Sequence, residues 1–391
     1  MVIDTMNKNK RNIIYFMDFA DSLENADRVG SVTRIIRYFN ALSEHSITIN
    51  ILSPDLKNYS SLLSDSKHYP LPAYSGSFRH IVFLIFSPII FRTLMRDAHL
   101  YWAKFSSSIP AMIAKTLYRK PIVNYFDYNW VELSRASKEG RLELGIKWLI
   151  EHLMIRYSDY FITTTDTLKS YLINMGFRYP EKIFIIPNYV DTDLFVPSSE
   201  AHDNKMFKIL SVGRLSEQKN FPLLLQGVSR LQELTDKQIK LTIVGAGPLK
   251  EALLSEASAR KVSLTIIDRI PNSEMHPLYT DNHLFVMTSP REGHPRALIE
   301  AMACGLPIVG TNVTGISDII KDNDDGLLCD ENRDSVANQI LRIINDKELA
   351  ARLGENARKQ AVARYSFKAL LEKESLIYKQ IFADAERHSR G

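Results

Sequence analysis

The chain is poor in cysteine, in long apolar runs and in charge of one sign, and each shortage removes a class of protein. Two cysteines, Cys304 and Cys329, stand in 391 residues. They make neither a disulfide framework nor a metal cluster, and they fit a reduced, cytoplasmic protein. The longest apolar stretch, residues 81–91, is broken by Ser87 and Pro88. It falls far short of the ~20 residues that cross a bilayer as a helix. Near the start, Lys8, Lys10 and Arg11 precede an apolar run over 13–17, which Asp18 and Asp21 end too early for a signal peptide. That run reads as a first buried strand. Lys plus Arg total 49 against 45 Asp plus Glu, a net charge of +4, too mild a balance to argue for nucleic acid. No low-complexity tract and no short internal repeat stands out.

What is present is the composition of a soluble globular protein, 45% hydrophobic and 24% charged. A single core rarely grows past roughly 250–300 residues, so two domains are expected. Short apolar runs alternate with helical patterns. Strands are expected over 12–17, 48–52, 99–103, 121–125, 160–164 and 183–186, with a second series over 208–212, 240–244, 263–267, 284–287, 307–311 and 326–328. Helices fall between them, among others over 32–42, 221–234, 249–259, 296–303 and 335–345. This alternation implies an α/β architecture of two Rossmann-like, doubly wound parallel sheets with helices on both faces. The polar, turn-rich segment 196–205 separates the two series and reads as a linker. The expected division is a domain over 1–195, a domain over 206–365, and a C-terminal helix over 366–391 packing back toward the first. Ligands bind outside the carboxyl ends of the strands in such sheets, so the cleft between two of them is the natural site.

The most informative segment is 289–300, Ser-Pro-Arg-Glu-Gly-His-Pro-Arg-Ala-Leu-Ile-Glu. Glu292 and Glu300 bracket a glycine and a proline. Pro295 is a good first helical residue, which leaves Glu292 in the preceding loop and Glu300 inside the helix. Gly293 lets backbone approach a ligand closely. The N–H groups of Arg296 and Ala297, with the helix dipole, suit an anion such as a diphosphate. Glu300 can accept bonds from a ribose diol, and Glu292 from sugar hydroxyls. A surface helix with two solvated glutamates is the competing reading. His294 lies in the same loop, either structural or a sugar contact.

Gly213, Arg214 and Lys219 directly follow an expected strand, where a planar fork of donors and a compact charge suit phosphate capture. Two fixed cations can stabilise a departing nucleoside diphosphate without metal. The Gly245-Ala-Gly247 turn also follows a strand but lacks the full dinucleotide-binding spacing; a binding role and a plain tight turn both remain open. Other signals are discounted. Asp191-Thr-Asp193 has the look of a metal-binding pair in the wrong context. The 322–326 acidic turn lacks a calcium-loop glutamate at its twelfth position, where Arg333 stands. Cys304 reads as a small packing residue.

Taken in order, these segments resemble the retaining GT-B glycosyltransferases of family 4. The matching pieces are Val29-Gly-Ser31, residues 185–195 (Ile-Ile-Pro-Asn-Tyr-Val-Asp-Thr-Asp-Leu-Phe), residues 213–219, residues 244–248, the Glu292-Gly-His-Pro…Glu300 segment and residues 300–307. The resemblance is specific over 183–330 and diffuse before 180. It implies a donor-binding second domain and an acceptor-binding first domain, with retention of anomeric configuration and no metal or other cofactor. Arg214 and Lys219 would hold the donor diphosphate, Glu300 the ribose and Glu292 the transferred sugar. The backbone near Arg269 and Ile270 would contact the base, and Gly30 and Ser31 would lie near the phosphate. The leaving phosphate would take the acceptor proton.

Two departures qualify the match. The glycine-rich N-terminal loop is reduced to Val29-Gly30-Ser31, and Asp127 stands where many members carry a histidine. Asp127 then bonds a sugar hydroxyl or orients the acceptor, unless it merely caps a turn at a strand end. The expected partners are a nucleotide-sugar donor and a glycan or lipid-linked acceptor of cell-surface synthesis, with no nucleic acid. The alternatives are a sugar-nucleotide 2-epimerase of the same fold and an inactive sugar-nucleotide-binding subunit. Finally, residues 77–96 are richly apolar and carry Arg79, Arg92 and Arg96. They read either as a helix covering its sheet or as a peripheral contact with an anionic membrane on the cytoplasmic face.

Overall fold

The computed structural model describes residues 10–18, 22–28, 31–71, 78–136, 140–198 and 206–390. The expectation for Gly30 and most of the expected linker lie outside the described residues. The chain forms two compact units, Met1–Ile186 with Leu371–Gly391, and Pro187–Leu370.

Among the described residues the first unit holds seven strands: β1 (Arg11–Phe16), β2 (Ile47–Ser53), β3 (His68–Pro70), β4 (Leu100–Ala103), β5 (Ile122–Phe126), β6 (Tyr160–Thr163) and β7 (Ile183–Ile185). They pair in the order β3-β2-β1-β4-β5-β6-β7, every pair parallel. The second unit holds β8 (Met206–Val212), β9 (Gln238–Val244), β10 (Ser263–Ile267), β11 (Leu284–Met287), β12 (Ile308–Thr311) and β13 (Leu327–Cys329). Their order is β10-β9-β8-β11-β12-β13, again all parallel.

The buried runs form strands because both sheet faces are covered. In β11 the two faces separate cleanly. Leu284 and Val286 join the core beneath the helices Phe221–Gln232 and Arg333–Asn345, while Phe285 and Met287 join the core beneath Arg296–Ala303. The sequence did not announce β3. It is three residues long with no apolar alternation, and polar contacts hold it. Buried His68 reaches the Ser53 hydroxyl at 2.7 Å and the Asp55 carboxylate at 3.4 Å.

The units divide at Ile186, not at residue 195. Residues 187–195 are bound into the second unit by their own contacts. Val190 exchanges backbone hydrogen bonds with Tyr365 (2.8 Å) and Phe367 (2.9 Å), and Arg358 donates to the Phe195 carbonyl at 2.7 Å. The second unit also runs on to Leu370, beyond the expected 365. The last helix, Phe367–Arg390, belongs to the first unit from Leu371 onward. There Tyr38 donates to buried Glu374 at 2.6 Å.

Candidate active site

In the second unit the strand order reverses between β8 and β11, and a doubly wound sheet offers its ligand crevice at such a reversal. The loop after β8 carries Gly213, Arg214 and Lys219; the loop after β11 carries residues 288–295. Thr288 joins them, its hydroxyl donating to the Asn220 carbonyl at 3.1 Å. Lys219 pairs with Glu292. The same Glu292 oxygen accepts the Ser289 hydroxyl at 2.6 Å, and Thr311 bonds the Ser289 carbonyl at 2.6 Å. The Glu292 side chain is 7% exposed and that of Lys219 18%, so a carboxylate drawn this far from water is compensated by a cation and a hydroxyl. Arg214 stands exposed beside them.

Glycines shape these loops. A Cβ on Gly245 would collide with the Gly213 carbonyl, and one on Gly247 with the Leu215 carbonyl. The backbones are laced together, Gly213 N–H to Val244 at 3.0 Å and Leu215 N–H to Ala246 at 3.1 Å. The Gly-Ala-Gly turn therefore serves close packing of one loop on the other. Gly315, at φ +88°, does the same for the Glu292 loop, since a Cβ there would strike the Glu292 carbonyl.

The Arg296–Ala303 helix has the expected 296–303 span, but Pro295 is not its first residue. Pro295 is the residue before it, at φ −70° and ψ 116°, and no side chain caps the helix. Its first-turn N–H groups, at Arg296 and Ala297, are left for an anion. The Arg296 guanidinium turns aside, 3.2 Å from Asn188 Oδ1 and 5.9 Å above the Tyr189 ring. Asn188 also donates to the His294 carbonyl at 2.6 Å. His294 is buried against Tyr365, with Nδ1 unpartnered among the described residues. Burial, then Arg296 and Arg364, push its pKa down to about 3, so the ring is neutral. Gly293 beside it is half-buried.

Glu300 is 8% exposed, with both oxygens engaged: Asn272 donates to Oε1 and Tyr279 to Oε2, each at 2.8 Å. Tyr279 is fully buried, and burial together with Glu300 holds its hydroxyl protonated. Ile270 lies half-buried in the loop after β10, two residues before Asn272.

In the first unit the reversal falls between β1 and β4. Asp127, just past β5, pairs with Lys104, just past β4, at 2.9 Å; its other oxygen is buried without a partner among the described residues. Ser106 donates to Asp18, past β1, at 2.5 Å. The Asp191 carboxylate accepts the Asp193 N–H at 3.2 Å, and that of Asp322 accepts the Leu328 N–H at 2.8 Å; both close turns. Burial raises the thiol pKa of Cys304, and that of Cys329 to about 12.

The residues not foreseen are Ser289, Asn272, Tyr279, Asn188, Lys104 and Asp18. Ser289 carried a signal, a hydroxyl at a strand end three residues before Glu292. Asn272 and Tyr279 carried none, since nothing in their own segments marks them as partners of a carboxylate more than twenty residues away.

Residues 195–360 match the family model of the glycosyl transferases group 1. A poly(ribitol-phosphate) alpha-N-acetylglucosaminyltransferase of Staphylococcus aureus is 29% identical over 195 residues, 49% of this chain and 38% of that protein. A UDP-Gal:alpha-D-GlcNAc-diphosphoundecaprenol alpha-1,3-galactosyltransferase of Escherichia coli is 28% identical over 261 residues, 62% of this chain and 65% of that protein. The chain thus spans less than two thirds of each of these curated relatives. The solved sucrose-phosphate synthase of Thermosynechococcus elongatus superposes with a TM-score of 0.78 at 16% identity, covering 96% of this chain and 100% of that one. The fold is GT-B, and residues 195–360 are similar to the glycosyl transferases group 1.

Proposed function

We propose that this chain is a retaining, metal-independent glycosyltransferase of family 4, moving a sugar from a nucleotide-sugar to a glycan or lipid-linked acceptor. The observation that carries the reading is the convergence at the β8 and β11 strand ends. Lys219 and Glu292 meet there, beside an uncapped helix N-terminus and a doubly held Glu300. Arg214, Lys219 and the N–H groups of Arg296 and Ala297 take the diphosphate. Glu300 takes the ribose, Glu292 the transferred sugar with His294 and Gly293 lining the loop, and the backbone at Ile270 the base. The anomeric carbon–oxygen bond breaks with its electron pair leaving on the nucleoside diphosphate. The acceptor hydroxyl bonds the same face of that carbon, and its proton passes to the leaving phosphate. Fixed cations and N–H dipoles supply the charge stabilisation a metal would otherwise give. In the first unit, acceptor recognition is assigned to the strand ends around Asp127. The acceptors named for the relatives, a ribitol-phosphate polymer and a diphosphoundecaprenol-linked sugar, support a place in cell-surface glycan synthesis at the cytoplasmic face of a membrane.

The test begins with a sugar-nucleotide screen by thermal shift, since a ligand that binds only the folded state must raise the midpoint. The stabilising donor should then release its nucleoside diphosphate when an acceptor is supplied, with EDTA present and without epimer formation. Loss of turnover in EDTA, restored by manganese or magnesium, overturns metal independence. Epimer formation without transfer moves the assignment to a 2-epimerase.

A further inference from the structure

Three helices of the first unit, Arg79–Ile90, Ser108–Tyr118 and Arg141–Tyr157, lie side by side, the middle one packed against both others. Their C-terminal ends are tied together. Tyr118 donates to the Pro88 carbonyl at 3.0 Å, and Lys115 to the Tyr157 carbonyl at 2.9 Å. Phe83, Ala111, Ala114 and Met154 turn inward and are fully buried or nearly so. The opposite faces remain apolar where a solvated helix would be polar. On the first helix and the residue before it, Phe78, Ile81, Ile85, Phe86 and Ile89 are 45–71% exposed. On the third, Leu142, Ile146, Trp148, Leu149 and Tyr157 are 47–81% exposed, with Trp148 stacked on His152 at 5.4 Å. Leu117, 52% exposed, stands on the helix between them. Scattered apolar residues on a surface need no explanation, but rows on adjacent helices form a patch.

The charge around the patch is one-sided. Residues 78–157 contain twelve Lys and Arg against six Asp and Glu, whereas the rest of the chain contains thirty-seven against thirty-nine. Arg92, Arg96, Arg119, Arg141 and Arg156 are all exposed. Among the described residues no helix is long and apolar enough to cross a membrane. A second copy of the chain docking on this face would bring like charges together, whereas an anionic lipid surface complements them.

We propose that the outer faces of these three helices form one docking surface for an anionic bilayer, the isoleucine, leucine and tryptophan side chains entering the interface and the arginines meeting lipid phosphates. It deepens the lipid-linked acceptor reading but stands on its own observation. Vesicle binding is therefore measured with neither donor nor acceptor present, and fails or succeeds separately from transfer.

The full chain should float with vesicles of equal parts phosphatidylglycerol and phosphatidylcholine at low salt, and detach as salt rises. Brominated lipid should quench its tryptophan fluorescence, and Trp148→Phe should remove most of that quenching without ending flotation. Ile85→Ser with Ile89→Ser, and separately Leu142→Ser with Ile146→Ser, should each weaken vesicle binding about tenfold or more. Arg92→Gln, Arg96→Gln and Arg119→Gln together should weaken it about 100-fold. All these positions are on the surface, and circular dichroism melts should match wild type. A wild-type chain that stays in the soluble fraction at low salt overturns the proposal. So does a third-helix pair without effect, equal binding to uncharged vesicles, or a dimer in sedimentation equilibrium that the same serine substitutions dissolve.

Discussion

Both sheets reverse their strand order once, and the two reversals are built differently. At β8 and β11 the polar groups are braced from several directions. Thr288, Ser289 and Thr311 bond backbone or carboxylate, Gly315 admits a second loop against Glu292, and Asn272 and Tyr279 hold Glu300. At β1 and β4, where residues 19–21 and 29–30 lie outside the described residues, the polar contacts include Asp18 with Ser106, Lys104 with Ser107 and Asp127, and Asp55 with Ser53 and the Leu23 N–H, and one Asp127 oxygen is buried without a partner among the described residues. A nucleoside diphosphate is a chemically constant ligand, and a constant ligand rewards a pre-organised frame. On the proposed reading the first unit meets the variable acceptor instead, and there one Asp127 oxygen is buried without a partner among the described residues.

The sharpest way to break this comparison is to remove the cations of the braced site. Lys219→Ala and Arg214→Ala should each lower kcat/KM by about 100-fold or more, the size of a fixed electrostatic contact to developing charge. Arg214→Lys should recover only part of it, because the planar fork is lost. Asp127→Asn should fall well short of either alanine variant if the first reversal is the less rigid. Steady-state kinetics within threefold of wild type for both alanine variants would remove the diphosphate assignment.

A second difference is electrostatic, and it can be read by pH. Glu374 in the first unit is buried, its carboxyl facing the hydroxyls of Tyr38, Tyr125 and Tyr378, and burial raises its pKa from 4.5 to about 7. The folded state therefore holds this proton where the unfolded chain releases it. The associated stability is present below pH 4.5 and lost as pH rises toward 7, by about 3 kcal/mol at most. His294 in the second unit runs the other way. Its folded pKa, depressed from 6.5 to about 3, gives stability present above 6.5 and lost as pH falls. Glu374→Gln should accordingly gain on wild type between pH 4.5 and 7, and His294→Asn should gain on it below pH 6.5, in denaturant titrations at each pH. Parallel pH profiles for the three proteins would show that neither group is as buried as the fold makes it.

The alternation of strands and helices was legible because buried parallel strands are short apolar runs, and twelve of the thirteen were found within a few residues. The exception, β3, is held by His68 and Ser53 and has no apolar pattern to read. Charged groups at strand ends were legible too, because Lys219, Glu292 and Glu300 sit at short, fixed offsets from a strand or a helix start. The unit boundary was not. Polar composition marked 196–205, but the contacts of Val190 and Phe195 carry the second unit back to Pro187. The outward apolar row at Leu142, Ile146 and Leu149 was missed for a related reason: periodicity shows that a helix has an apolar face and says nothing of which way it turns.

The smallest effect separates a residue that touches substrate from one that only aims it. Tyr279 lies fully buried with its hydroxyl on Glu300 Oε2, so under the proposed ribose role of Glu300 it would act through that carboxylate. Tyr279→Phe keeps the ring in the core and removes only that bond, leaving Asn272 on the other oxygen. The carboxylate then loses one of its restraints, and a ribose contact made equally in ground and transition states is weakened. The donor KM should rise about tenfold while kcat stays near wild type. A purely structural role for Tyr279 would lower the melting temperature yet leave untouched the preference for a ribose donor over its 2′-deoxy analogue. The positioning role predicts that this preference shrinks in the phenylalanine variant, and that Glu300→Gln shrinks it further. Equal discrimination by wild type and Tyr279→Phe would mean that Glu300 is oriented without the Tyr279 hydroxyl.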